Sequence, residues 1–204
     1  WSLFAASSVR AERAAAPQIH ARSEWHAEPV GDISEDLPKT RIVIHHTAAF
    51  VSDADKSLRG AASWRAAIEH ARKAQYFHKY MRGWKDIGYH YMIDWNGRIL
   101  EGRPVELLGA HVAKHNTGSI GVVLMGNLSV QRPTAKQIAS LRALLNWLMS
   151  RFEIAPKEIN GHFQMKYTTC PGAYLNNVRD PNATPIDFVQ MKPTEKRQRR
   201  SRKW

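Results

Sequence analysis

Arg41-Ile42-Val43-Ile44-His45-His46-Thr47-Ala48 is the stretch on which the fold turns. Ile42 to Ile44 is an unbroken β-branched run of the kind that fills a strand buried on both faces. Two histidines follow at its end, where a rigid strand positions side chains more accurately than a loop does. Taken alone, a pair of histidines leaving a core strand is ordinary polar chemistry. A second cluster shifts that weighting: Gly161-His162, then Cys170-Pro171-Gly172, with Cys170 the single cysteine of the chain. One histidine from the strand end, with His162 and Cys170, makes a three-ligand nitrogen and sulfur set for zinc. Such a set leaves one coordination position open, the arrangement of catalytic rather than structural zinc.

Outward from that strand, the chain alternates helical and extended patterns. Pro17 to Pro38 holds three prolines and Gly31 without a sustained apolar period, which predicts an irregular segment laid over the domain, with Trp25 and Trp64 as packing residues. After a loop over Phe50 to Asp55, residues Ser57 to about Tyr80 carry helical spacing, with Asp55 or Ser57 as the N-cap. Ile87 to Asp94 alternates as a strand, Asn96-Gly97 is a strong hairpin signal, and Arg98 to Glu101 returns. Leu107 to Asn116 reads as a loop, and Ser119 to Leu124 as a second buried strand. Pro133-Thr134 then opens a helix over Ala135 to Phe152, and Ile159 to His162 makes a short last strand. This order predicts a single α/β domain in which helices flank a mixed central sheet.

The chain has 204 residues, 43% of them hydrophobic, enough for one core. Its formal charge is +12, which implies an anionic partner. Much of that charge is local, since Met191 to Trp204 hold seven Lys/Arg against one Glu. A run of this kind is usually a solvated end. One cysteine rules out an internal disulfide, and no apolar run approaches the ~18 residues of a spanning helix. The small, apolar start from Trp1 to Ala16 fits the end of an export signal, a mature terminus or a separate helix equally well.

Several separated motifs then agree with one family. Ile44-His45-His46-Thr47-Ala48, Gly83-Trp84-Lys85-Asp86-Ile87-Gly88-Tyr89-His90-Tyr91, Gly109-Ala110-His111, His115-Asn116, Ser119-Ile120-Gly121 and His162 with Cys170-Pro171-Gly172 stand in order and approximate spacing. In these motifs the chain resembles peptidoglycan recognition proteins and type-2 N-acetylmuramoyl-L-alanine amidases, and Arg22-Ser23-Glu24-Trp25 is similar to the opening of the recognition-protein domain. The resemblance runs from about Arg22 to Leu175. It implies a domain over 22–175 between an N-terminal segment, 1–21, and a basic tail, 176–204.

The same resemblance implies site roles. Zn2+ would be held by His45, His162 and Cys170, with His46 packed or behind the ligands. Tyr89 matches an active-site tyrosine. Thr168 stands where many phage and bacterial members carry a lysine that assists the oxyanion; a hydroxyl brings one hydrogen bond and no charge. His111, His115 and Asn116 match a loop lining the glycan and stem-peptide groove, and Arg103 is expected to face it too. Gly83 and Trp84 match a pair associated with meso-diaminopimelate stem peptides. The implied reaction is zinc-dependent hydrolysis of the amide between the muramic acid lactyl group and L-alanine of peptidoglycan, by an enzyme that is periplasmic or secreted.

Two other classes of function compete. A non-catalytic peptidoglycan receptor would use the same groove, but receptors of this family lose a ligand, usually the cysteine, and all three stand here. Nucleic-acid binding through the tail has phosphate chemistry in its favour. The rest of the chain offers no reading helix or stacking motif, so the tail is better read as a hold on anionic envelope polymers or membrane headgroups.

Overall fold

The computed structural model describes residues 14–49 and 63–175. The basic tail, the first thirteen residues, the loop over Phe50 to Asp55 and the helix caps expected at Asp55 or Ser57 lie outside them. Among the described residues, the first elements are a two-residue strand, β1 (Ile19–His20), and a 3-10 turn, Arg22–Trp25. Then come β2 (Arg41–His46), α1 (Trp64–Tyr76) extended by a π-helical turn over Phe77–Met81, β3 (Tyr91–Ile93), β4 (Ile99–Glu101), β5 (Ser119–Leu124), α2 (Ala135–Phe152), β6 (Ile159–Gly161) and a single turn, α3 (His162–Met165). The six strands form one mixed sheet in the order β1-β4-β3-β5-β2-β6. Among these described strands, only β3 and β4 pair antiparallel. β2 is parallel to β5 on one side and to β6 on the other, with Ile44 opposite both Val122 and Gly161.

The architecture is the α/β one that the patterns predict, and β2, β5 and α2 have the bounds read from them. Three expectations are corrected. The proline-rich lead-in contains β1, too short to carry an alternation. The strand expected over Ile87 to Asp94 shrinks to Tyr91–Ile93, because the carbonyls of Ile87 and Gly88 go to Arg103 Nε and the Ala110 amide. The first helix is capped by Ser63, whose Oγ accepts the Ala66 amide at 3.1 Å.

Period-two alternation divides the core into two layers. Ile42 and Ile44 of β2, Ile120, Val122 and Leu124 of β5, and Tyr91 and Ile93 of β3 share a cluster with Leu141, Leu144, Leu145 and Leu148 of α2. Met92, Leu100 and Val123 point the other way, to Trp25, Ile87, Trp95 and Ala71 of α1. Trp25 is therefore core, as expected, while Trp64 is half-buried against it. Helix α2 is held at its start by a capping box: Thr134 Oγ1 accepts the Gln137 amide at 3.0 Å and Gln137 Oε1 accepts the Thr134 amide at 3.1 Å. The Gln137 amide group donates in turn to Ile93 and Met125 carbonyls, at 3.3 and 3.0 Å, which ties the helix to the strand ends.

Candidate functional site

Strand β2 ends with its two histidines on opposite faces of the sheet. His46 takes the α2 side, where its Nδ1 accepts the Leu128 amide at 3.1 Å. His45 takes the α1 side, with Nδ1 lying 3.6 Å from Cys170 Sγ. His162 arrives from the adjacent strand, at the junction of β6 and α3, and its ring centroid is 4.6 Å from that of His45. One donor atom from each of His45, His162 and Cys170 lies within 4.8 Å of the others.

The donor chemistry fits a borderline-soft divalent ion such as zinc. Burial holds His45 well below the usual imidazole range, and nearby His111 pushes the same way. His162 is lowered too, by burial and then Lys166. Both rings are thus neutral and keep a lone pair. Nε2 of His162 is buried with no hydrogen-bond partner, an unmet requirement that a metal would satisfy. Burial pushes the Cys170 thiol up to about 12, opposed in part by the His46 amide, which donates to Sγ at 3.4 Å. Without a cation the sulfur keeps its proton. With one it becomes a thiolate that already has an N–H donor.

A groove of about 880 Å³ opens over these residues, between α1, the segment after β2 and the loop before β5. His70 and Lys73 of α1, with Phe77 at the start of the π-helical turn, form one wall, and Tyr89, Trp84 and His162 stand on others. Lys73, Arg82 and Lys166 outnumber Glu69 among its charged residues, so the groove favours an anionic ligand. Tyr89 has its ring 5.3 Å from that of His45, and burial raises its phenol above the ordinary tyrosine range, so the hydroxyl stays protonated and able to donate.

The residues singled out in the sequence fall into three groups. Tyr89, Trp84, His111 and Asn116 reach the groove wall beside the trio of candidate ligands. Thr168 is half-buried next to it, where its Oγ1 accepts the Cys170 amide at 3.2 Å and its hydroxyl proton is left to donate. Gly83, at φ +69, makes the left-handed turn that follows the π-helical turn and brings Trp84 into place. The others are corrections. Arg103 does not face the groove: it is 4% exposed, and its guanidinium donates to carbonyls of Ile87, Asp86 and Leu108, which pins the loop from beneath. His115 is exposed and away from the groove lining. His111 reaches the wall but is 7% exposed, and its Nδ1 is 3.0 Å from His45 Nε2, so its ring is engaged with His45 rather than free for substrate.

Sequence reading missed His70 and Lys73, while Lys166, which it notes only as a neighbour of Thr168, lines the groove. His70 and Lys73 share one face of α1 with Ala66, a face that Phe77 of the π-helical turn continues; the spacing is visible in the sequence but indistinguishable there from an ordinary solvated stripe. His70 is held by Thr47, Nε2 to Oγ1 at 3.0 Å, and Thr47 lies just past β2.

The family profile for N-acetylmuramoyl-L-alanine amidase matches residues 35–173. Peptidoglycan-recognition protein SD of Drosophila simulans is 31% identical over 160 residues, 77% of this chain and 81% of that protein. The N-acetylmuramoyl-L-alanine amidase of Sus scrofa is 31% identical over 166 residues, 79% of this chain and 27% of that much longer protein. A solved structure of peptidoglycan recognition protein LE in complex with tracheal cytotoxin, a monomeric diaminopimelic acid-type peptidoglycan, aligns at TM-score 0.67 and 29% identity over 83% of this chain and 97% of that one.

Proposed function

Since the chain belongs to the family of type-2 N-acetylmuramoyl-L-alanine amidases and peptidoglycan recognition proteins, we propose that it is a zinc hydrolase. Its reaction cleaves the amide between the lactyl group of N-acetylmuramic acid and L-alanine. The observation that carries this reading is the convergence of His45, His162 and Cys170, with a buried, unpartnered His162 Nε2, beneath an open groove. Receptors built on the same scaffold have no need of three intact ligands.

When bound, zinc supplies Lewis acidity toward the scissile carbonyl and makes water a nucleophile near neutral pH. The chain does the rest. The Tyr89 hydroxyl, kept protonated, donates a hydrogen bond toward the oxygen on which charge develops. The Thr168 hydroxyl is held beside Cys170 and adds a second, uncharged donor. Water adds across the C–N bond, leaving a lactyl carboxylate and the free amine of L-alanine. Lys73, Arg82 and Lys166 bind and orient the carboxylates of the stem peptide. A meso-diaminopimelate stem is the preferred substrate, in keeping with the Gly83-Trp84 pair and with the muropeptide bound by protein LE. The working location is the cell envelope, periplasmic or secreted, where such polymers lie.

Mass spectrometry of digested sacculi tests this. Release of peptides with a free L-alanine amine, abolished in His162→Ala and Cys170→Ser, is the expected result. A protein that binds muropeptide but releases nothing, with or without added zinc, would be a receptor instead.

A further inference from the structure

Beside His45, at the groove wall but almost wholly buried, stands an imidazole that the hydrolytic chemistry does not use. We infer that His111 is a positioning residue for the metal site: its Nδ1 holds His45 in the tautomer whose Nδ1 lone pair faces His162 and Cys170. The inference rests on the amidase reading only in taking those three residues as metal ligands.

The argument follows the protons. His111 Nε2 lies 3.4 Å from the Ser119 carbonyl oxygen, which can only accept, so Nε2 carries the hydrogen of this neutral ring. Its Nδ1 is then an acceptor, and His45 Nε2, 3.0 Å away, must donate to it. His45 Nδ1 is left with a lone pair, on the side where Cys170 Sγ lies at 3.6 Å.

The ring of His111 is built in. Its own amide and that of Val112 donate to Asn116 Oδ1 at 2.8 and 2.7 Å, which fixes the backbone beneath it. A Cβ added at Gly121 would stand 2.6 Å from its ring, and one at Gly109 2.7 Å, so both positions have room only for glycine. His90 does not compete for the bond, because its Nδ1 accepts the Gly121 amide at 2.9 Å and its Nε2 faces the Leu107 carbonyl at 3.1 Å. Metal-bound histidines usually give their second N–H to a carboxylate or carbonyl, which fixes tautomer and orientation. Here an imidazole lone pair takes that part.

Two measurements test it. Long-range 1H–15N NMR of the metal-free, unaltered protein reads the tautomer directly: His45 should carry its proton on Nε2, and a proton on Nδ1 overturns the inference. Zinc affinity by chelator competition should fall about 10- to 100-fold in His111→Leu. It should recover in His111→Asn, whose Oδ1 can stand in for Nδ1. Undiminished affinity in a folded His111→Leu, or no recovery in His111→Asn, overturns it. If the unaltered protein takes up no zinc, the amidase reading fails, while the tautomer still decides the part assigned to His111.

Discussion

His45 and His46 are neighbours in the chain and belong to different chemistry: one points its Nδ1 at Cys170 Sγ, 3.6 Å away, and the other accepts the Leu128 amide on the far side of the sheet. The pleat alone separates them. The His46 amide still serves the site, since it donates to the same sulfur at 3.4 Å. The side chain instead braces the loop that Gly172 and Tyr174 pack against.

His46→Ala should therefore keep its zinc and lose stability. The Leu128 amide would be buried without an acceptor, at a cost of about 1–3 kcal/mol. Elemental analysis with denaturant melts checks both halves. Loss of zinc in His46→Ala together with retention in His45→Ala would reverse the assignment.

Zinc uptake should release protons. The Cys170 thiol sits at about 12 in the folded chain, so it is protonated near pH 7.5 and must ionise to bind. Titration of the metal-free protein in weak buffer should yield about one proton per zinc. At a hundredfold excess over the dissociation constant, zinc should also add about 2.7 kcal/mol of stability. Uptake without proton release would mean that the sulfur is not a ligand.

Tyr89→Phe should retain zinc and lower kcat by about 10²- to 10³-fold, the usual effect of deleting one donor to a developing oxyanion. KM should change far less, because the interaction strengthens only as charge develops. An unchanged kcat would return Tyr89 to the status of a packing residue.

Stability of the metal-free chain should fall on acidification. Burial depresses His46, His70 and His78 to about 4 and His111 to about 3, from 6.5. These rings are neutral when folded and take up protons when unfolded, so the unfolded state binds more protons between pH 6.5 and the folded values. The stabilisation is complete above 6.5 and is lost as pH falls toward 4. At the alkaline end, the raised Cys170 works in the opposite sense, and stability declines from about pH 9 to 12. Urea midpoints across these windows check both slopes, and a flat acid limb would show that the rings are solvated.

Much of the fold was legible because it is local. Ile42 to Ile44 and Ser119 to Leu124 are β-branched runs that no helix suits, and Thr134 with Gln137 announces its helix by a capping box. The loop over 103–116 was not legible. Its polar residues look alike in sequence, yet Arg103 folds inward to satisfy three carbonyls, His111 inward to meet His45, and His115 outward to solvent.

The amino-acid order by itself determined β2 and β5, the long helix and the family motifs, because periodicity, capping and residue type act over a few neighbours. It also named three metal-ligand candidates by type. Only the tertiary structure decided that His45 and Cys170, 125 residues apart in the chain, would face one another, and which nitrogen of His45 does so. Parallel pairing of β2 with β5 and β6 brings those ends together, and a proton on a ring is set by the partner behind it, which no local pattern encodes.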